Sequence, residues 1–245
     1  MEQRPGKIAG HAGRVIVKGE RLSAAGAGEP TFARLNTGHG AGEQEITAEG
    51  GVVGDTVHID VIDRSGNMFT ATPSGGWLQS SPVIPELGWP LGSRGQMFWL
   101  EEGLPGSLAP GKRPRSTLSV GMALREGTPY LCWGTPGGDQ QDQWTLAVFL
   151  RHVDHGLDLQ AAIDAPLFTS RHWPSSFYPR TCDPGRLVVE ERFGEATIGA
   201  LRERGHKVTV EGPWSLGRVC AVGRDGDKLS AAATPRLMQA YAIAR

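Results

Sequence analysis

The chain has 245 residues, a formal net charge of −1 at pH 7, three cysteines and 39% hydrophobic residues. The near-neutral charge gives no electrostatic basis for binding nucleic acid or an anionic membrane, and no stretch reaches the ~18 apolar residues of a membrane-spanning helix. The cysteines are too far apart for a disulfide scaffold or a zinc site. We therefore expect a globular cytoplasmic protein, or a periplasmic one if the native N-terminus lies upstream of Met1.

The first 55 residues differ from the rest of the chain. They hold one short apolar run and then a glycine-rich polar stretch without a sustained period. This pattern predicts a linker or the tail of a larger unit. The sequence thus divides into a tail over 1–55 and a compact domain over 56–245.

A strand is predicted over 57–63, because apolar and polar residues alternate there with a period of two. Its buried face is predicted to carry Val57, Ile59 and Val61, and its exposed face His58 and Asp60. A glycine-containing turn follows, and residues 68–72 complete a predicted hairpin. Residues 73–115 are rich in proline and glycine, with a short apolar segment at 96–100.

The second half of the chain mixes predicted strands and helices, which indicates a layered α+β fold. A helix begins after Gly138, with Trp144, Phe149, Leu150 and Val153 on one face. A later helix ends at Gly205. The remaining segments are strands over 118–125, 129–133, 187–190, 207–210, 218–222 and 228–232, and helices over 159–164 and 195–204.

Three short stretches hold residues suited to chemistry, and each also has a plain structural explanation. Gly54-Asp55-Thr56 is a turn before a strand or a cleavage site that makes Thr56 a new N-terminus. The glycines of 134–138 form a strand-to-helix turn or present backbone N–H groups to an oxyanion. The basic stretch 110–117 is surface charge, or its hydroxyls at Ser116 and Thr117 bind a substrate carboxylate. His152 and His155 lack further metal ligands nearby, which favours solvated histidines at a helix end.

The order of these motifs resembles the small subunit of the γ-glutamyltransferase family. The matching features are Thr-x-His before a strand, Gly-Asn in the next turn, PGKRP followed by two hydroxyl residues, PGG, GHKV and a late TPR. The resemblance implies an N-terminal-nucleophile hydrolase. It also implies the fold, the small-subunit half of an αββα sandwich.

The resemblance implies a self-contained catalytic apparatus. Autoproteolysis before Thr56 frees an α-amine, which has a pKa of about 8 and can act as the base for the Thr56 hydroxyl. The N–H groups of Gly137 and Gly138 then hold the oxyanion. No metal or organic cofactor is implied. Thr72→Ala, which removes another hydroxyl of the same hairpin, is predicted to leave the cleavage intact.

Substrate contacts follow from the same resemblance, for a small amide or γ-glutamyl substrate. Ser116 and Thr117 match the positions that hold its α-carboxylate, Ser74 keeps a hydroxyl beside the nucleophile, and Gln96 offers a polar contact. Trp99 stands where the family places an acid against the glutamyl ammonium. Because an ammonium buried without a carboxylate is costly, the pattern favours acylase-type relatives.

A partner is also implied, because the family's large subunit supplies half of the sandwich and only 55 residues precede Thr56. We expect a large-subunit partner or self-association to cover the exposed sheet. The alternative to an enzyme is a catalytically inactive or truncated family remnant that serves as a binding or assembly protein. Gly76, where the family has an asparagine, and Trp99 favour that alternative, whereas the retained hydroxyl and glycine motifs favour the enzyme.

Overall fold

Two four-stranded antiparallel sheets form the centre of the protein in a computed structural model that describes residues 31–35, 56–75, 82–236 and 240–243. Gly54, Asp55 and Gly76 lie outside these residues. The strands are β1 (Thr31–Leu35), β2 (His58–Ile62), β3 (Met68–Ala71), β4 (Val83–Ile84), β5 (Trp89–Pro90), β6 (Val120–Arg125), β7 (Thr128–Gly134), β8 (Phe168–Ser170), β9 (Arg186–Glu190), β10 (Lys207–Glu211), β11 (Cys220–Asp225), β12 (Lys228–Ala233) and β13 (Ala240–Ile243). The helices are α1 (Gln141–Val153), α2 (Leu159–Asp164) and α3 (Glu195–Glu203).

The first central sheet has the order β13-β1-β2-β3 and the second the order β12-β11-β7-β6. Their facing sides share one hydrophobic cluster, which includes Ile62 of β2, Cys132 of β7 and Cys220 of β11. The other side of the second sheet packs on α1 and α2 through a second cluster that includes Leu131 and Trp144. The layers are therefore sheet, sheet and helices, the α+β arrangement that the sequence predicts.

Smaller sheets complete the fold. Strands β10, β9 and β8 form a three-stranded sheet in which β9 and β10 are parallel, and β4 pairs with β5. Within the described residues, no helix is both long enough and apolar enough to cross a membrane.

The predicted faces of β2 are wrong, although its period of two is right. His58, Asp60 and Ile62 are buried between the sheets, whereas Ile59 and Val61 on the opposite face are half-buried. Polar side chains can occupy a core when they hydrogen-bond to one another, and His58 and Asp60 do so. The assumption that the apolar residues face inward therefore reversed the strand.

Helix α1 buries Trp144 and packs Phe149 against the core as predicted, but the rest of its buried face differs from the predicted one. Gln141, Trp144, Thr145 and Val148 are buried, at the i, i+3, i+4 and i+7 spacing of one helical face. Leu150 and Val153, which the sequence analysis places on that face, are 38% and 43% exposed. The buried face includes polar residues because Gln141 and Thr145 bond to backbone groups.

Strands β1, β4, β5, β8 and β13 are absent from the sequence analysis. β1 lies within residues 1–55 and pairs with both β2 and β13, so part of that segment belongs to the central sheet. It stays a prediction that a boundary between two domains lies between residues 55 and 56.

A buried ion pair joins β9 to the end of α2. Arg236, 1% exposed, donates from Nε to Glu190 Oε1 at 2.7 Å and from Nη2 to Oε2 at 2.9 Å. It also donates to the carbonyls of Ile163 and Ala165 at 2.7 and 2.9 Å. Glu190 in turn accepts from the N–H of Leu167 at 3.1 Å. Since every charged atom has a partner, the pair is tolerated in the core.

Candidate active site

Thr56 lies at the mouth of the β2–β3 hairpin, beside Ser74. Its Oγ donates a hydrogen bond of 2.8 Å to the Ser74 Oγ, and both residues are half-buried. The N–H of Val57 donates to the carbonyl of Pro73 at 3.1 Å, which extends the pairing of the two strands to this end. Strand pairing therefore brings together the predicted nucleophile and the predicted supporting hydroxyl.

The glycine-rich turn leads from β7 into α1 through a conformation that requires glycine. Gly137 has φ of 138° and Gly138 has φ of 55°. A Cβ atom at Gly137 would overlap the ring of Trp144. A short 3₁₀ turn over Gly138–Gln140 continues into the helix. The N–H groups at the start of a helix have no partner within it, so this turn can bind an anionic oxygen.

His58 connects the nucleophile strand to this turn. Its ring is fully buried and occupies the space that a side chain at Gly134 would fill. Thr56 precedes His58 by two residues, and Gly137 follows Gly134 by three. The start of β2 therefore abuts the end of β7, next to the predicted oxyanion turn.

The predicted carboxylate-binding segment lies directly before β6. Thr117 is 8% exposed, whereas Ser116 is exposed and its Oγ accepts from the N–H of Leu118 at 3.1 Å. The N–H of Ser119 donates to Oε1 of Gln141 at 3.0 Å, near the start of α1. The segment therefore lies against the helix that follows Gly137 and Gly138.

Gln96, at the start of the apolar segment over 96–100, lies in a 3₁₀ turn over Ser93–Met97. Its side chain is exposed. The turn contacts the hairpin, because a Cβ atom at Gly75 would lie 2.5 Å from Ser93 Oγ. The structure thus places the turn carrying Gln96 next to the residue that follows Ser74.

A loop around Arg180, which the sequence analysis missed, holds the segment that follows this turn and carries Trp99. The guanidinium of Arg180 stacks 4.0 Å from the ring centre of Trp99, and its Nη2 donates to the carbonyls of Met97 and Phe98 at 3.1 and 2.9 Å. The bonds span 82 and 83 residues, so no local sequence signal predicts them. A positive charge is therefore held against the ring of Trp99.

The same loop reaches the glycine-rich turn. Ser176 donates from its N–H to Asp139 Oδ2 at 2.7 Å and from its hydroxyl to Asp139 Oδ1. Asp139 directly follows Gly138. The loop over 176–180 therefore connects the predicted oxyanion turn to the segment that carries Trp99.

Two expectations from the sequence need correction. Thr72, the proposed inert control, is 8% exposed and its Oγ bonds to His58 and to the Ser119 carbonyl, so its replacement disturbs the core. His152 is not a solvated histidine, because its ring nitrogens bond the Tyr130 hydroxyl at 2.5 Å and the Leu157 carbonyl at 2.7 Å. Within the described part of the chain, no three His, Cys, Asp or Glu side chains are grouped as metal ligands.

Gly137→Ala is expected to destabilise the protein by about 3 kcal/mol, because the new methyl overlaps Trp144 and the backbone is left-handed there. Gly199→Ala is the matched control, since nothing lies within 4 Å of a Cβ atom at this position of α3. Urea unfolding of both variants measures the difference. An unchanged midpoint for Gly137→Ala would show that the turn is not packed as described.

Comparisons with known proteins place this chain in one family. The family model of gamma-glutamyltranspeptidase matches residues 33–244, and the chain belongs to this family. The glutathione hydrolase-like YwrD proenzyme of Bacillus subtilis is 34% identical over 197 residues, which cover 78% of this chain and 36% of that protein. The oxamate amidohydrolase proenzyme of Klebsiella pneumoniae is 34% identical over 185 residues, covering 74% and 34%.

A solved structure gives the same result. A structure of LmbA2991 superposes on this chain with a TM-score of 0.73 at 59% sequence identity. The match covers 81% of this chain and 35% of the LmbA2991 chain. The predicted family and the predicted small-subunit half of an N-terminal-nucleophile sandwich are thus confirmed. The chain spans about a third of the length of these relatives.

Proposed function

We propose that the protein containing this chain is an amide hydrolase or acyl transferase that uses Thr56 as an N-terminal nucleophile after autoproteolysis at Asp55–Thr56. The observation that carries the proposal is the 2.8 Å hydrogen bond from Thr56 Oγ to Ser74 Oγ at the mouth of a hairpin. Family membership supports the same chemistry, and so do the names of relatives, which describe hydrolase proenzymes.

In the proposed reaction, the free α-amine of Thr56 takes the proton of its own hydroxyl. The Oγ attacks the carbonyl carbon of an amide, while N–H groups of Gly137 and Gly138 stabilise the oxyanion. The C–N bond then breaks, and the amine leaves with the proton from the α-amine. Water or a second amine attacks the resulting ester and regenerates the hydroxyl. Ser116 and Thr117 are proposed to hold a carboxylate of the substrate.

We further propose that the acyl group of the substrate carries no ammonium, because Trp99 replaces the acid that would bind one. The guanidinium of Arg180 lies 4.0 Å from this ring and repels a second positive charge, while no carboxylate is offered by Trp99 itself. A relative named oxamate amidohydrolase supports amide substrates other than γ-glutamyl compounds. Glutaryl and γ-glutamyl p-nitroanilides, which differ only in the ammonium, test this choice.

A large-subunit partner is proposed to cover the open sides of the two sheets. Phe69 on β3 is 57% exposed, and Met122 and Leu124 on β6 are 51% and 62% exposed. Exposed apolar surface of this kind marks an interaction site. The isolated chain is expected to self-associate and to bind a hydrophobic dye, and co-expression with the large-subunit region should abolish both. A monodisperse monomer without dye binding would overturn this proposal.

Intact mass spectrometry and acyl-anilide kinetics on the full-length protein, or on the co-expressed pair if the subunits are separate chains, test the proposed function. We expect two fragments that separate at Asp55–Thr56 and a burst of p-nitroaniline from the acylation step. The glutaryl anilide should have at least a tenfold higher kcat/KM. Better turnover of the γ-glutamyl anilide would overturn only the acyl preference. An uncut and inactive protein would instead support a non-catalytic binding or assembly role.

A further inference from the structure

His58 is held on both sides in the space between the central sheets. Its Nδ1 lies 2.8 Å from Thr72 Oγ and its Nε2 lies 2.8 Å from Asp60 Oδ2. His58 and Asp60 are fully buried, and Thr72 is 8% exposed. A buried histidine bonded through both nitrogens has a fixed ring orientation.

The Thr72 hydroxyl links His58 to the segment before β6. It lies 2.8 Å from Nδ1 of His58 and donates to the Ser119 carbonyl at 3.2 Å. On the other side of the ring, Nε2 bonds the Asp60 carboxyl group, so His58 bridges Asp60 and Thr72.

The two cysteines beside this pair are neutral. Burial and, second, the charge of Asp60 raise the pKa of the Cys132 thiol on β7 to about 12. The same two causes raise the pKa of the Cys220 thiol on β11. Both thiols therefore stay protonated at physiological pH.

The chain of bonds continues into the candidate active site. Thr72 precedes Ser74, the partner of Thr56, by two residues, and its hydroxyl bonds the carbonyl of Ser119. The N–H of Ser119 bonds Gln141 at 3.0 Å in the first turn of α1. One network of buried and partly buried hydrogen bonds therefore joins the hairpin, the segment before β6 and the helix after the glycine-rich turn.

We propose that His58 is a positioning residue that, held by Asp60 and bonded to Thr72, fixes the Thr56–Ser74 hairpin relative to the segment 116–119. This inference rests on the proposed function for its catalytic consequence. A displacement of about 1 Å between reacting groups can cost about 10²-fold in rate. His58 itself contacts no substrate in this arrangement.

Two replacements of His58 separate its two bonds. The amide nitrogen of an asparagine reaches the place of Nδ1, and that of a glutamine reaches the place of Nε2. His58→Asn is therefore expected to retain the bond to Thr72, and His58→Gln to lose it. Thr72→Val removes the hydroxyl with little change of shape. Ile62→Val, a buried change on the same face of β2 outside the network, is the matched control.

We expect His58→Gln and Thr72→Val to lower kcat about 10²-fold with little change in KM, whereas His58→Asn and Ile62→Val stay near the wild type. Hydrogen exchange of the Ser119 amide gives a readout that needs no activity. It should accelerate at least tenfold in the first two variants only. Equal exchange in His58→Gln and Ile62→Val would overturn the inference, even if the wild type proved inactive and the proposed function failed. Unchanged kcat in His58→Gln would overturn it for an active enzyme.

Discussion

Thr56→Ala is expected to leave the protein uncut between residues 55 and 56 and to abolish its amide hydrolysis. The alanine has no Oγ to attack the preceding peptide bond during maturation or the substrate afterwards. Loss of a nucleophile lowers kcat by as much as about 10⁶-fold. Intact mass spectrometry measures the cleavage, and release of p-nitroaniline measures the activity.

Thr56→Ser is the matched control, because serine keeps the hydroxyl and the hydrogen bond to Ser74. We expect this variant to be cut, more slowly than the wild type, and to retain activity. Ser74→Ala should slow both steps, since the acceptor of the 2.8 Å bond is removed. Cleavage of Thr56→Ala at the same bond would contradict the assignment of the nucleophile.

Arg236→Met is expected to destabilise the protein by about 3–5 kcal/mol, because it removes both hydrogen bonds from the buried guanidinium to Glu190 and leaves only Arg192 Nη1, at 3.5 Å, as an ion partner of that carboxylate. The pair is 1% and 0% exposed, and Arg236 also bonds two carbonyls at the end of α2. Urea unfolding measures the loss. Replacing both partners, as in Arg236→Met with Glu190→Leu, should recover part of the stability, because no fully buried carboxylate remains and Arg192 is partly exposed.

Asp183→Asn supplies the control for this effect. Asp183 and Arg186 form an ion pair of 3.1 Å whose side chains are 41% and 44% exposed. Exposed pairs contribute about 0–1 kcal/mol, so the unfolding midpoint should barely move. Equal losses in Asp183→Asn and Arg236→Met would show that burial of the Arg236–Glu190 pair has no energetic consequence.

Local patterns in the sequence predict much of the fold. The helix over 159–164 has the predicted bounds, and its capping residue Asp158 accepts from the N–H of Ala161 at 2.8 Å. Strands β2, β3, β6 and β7 were found from alternation and turn residues. β1 and β13 were missed because their regularity comes from pairing with distant strands. β13 pairs with β1 across about 200 residues of chain, and β1 also pairs with β2.

For the candidate site, the motif order predicts which segments come together but not how they are held. The residues Thr56, Ser74 and Gly137 lie on neighbouring elements, as the resemblance implies. Arg180 and Asp139 act through contacts with residues far away in sequence, which no period or spacing reveals. The polar inner face of β2 was missed because burial of His58 depends on Gly134 of another strand.

The proposed cleavage requires that the hairpin joining Thr56 to Ser74 has formed. The two residues are 18 apart in the chain and meet only when β2 has paired with β3. An unfolded chain therefore lacks the arrangement that the proposed cleavage needs. A newly synthesised chain would accordingly stay uncut until this hairpin has folded. During refolding, the fraction of chains that have been cut at a given time would therefore report how far this hairpin has formed.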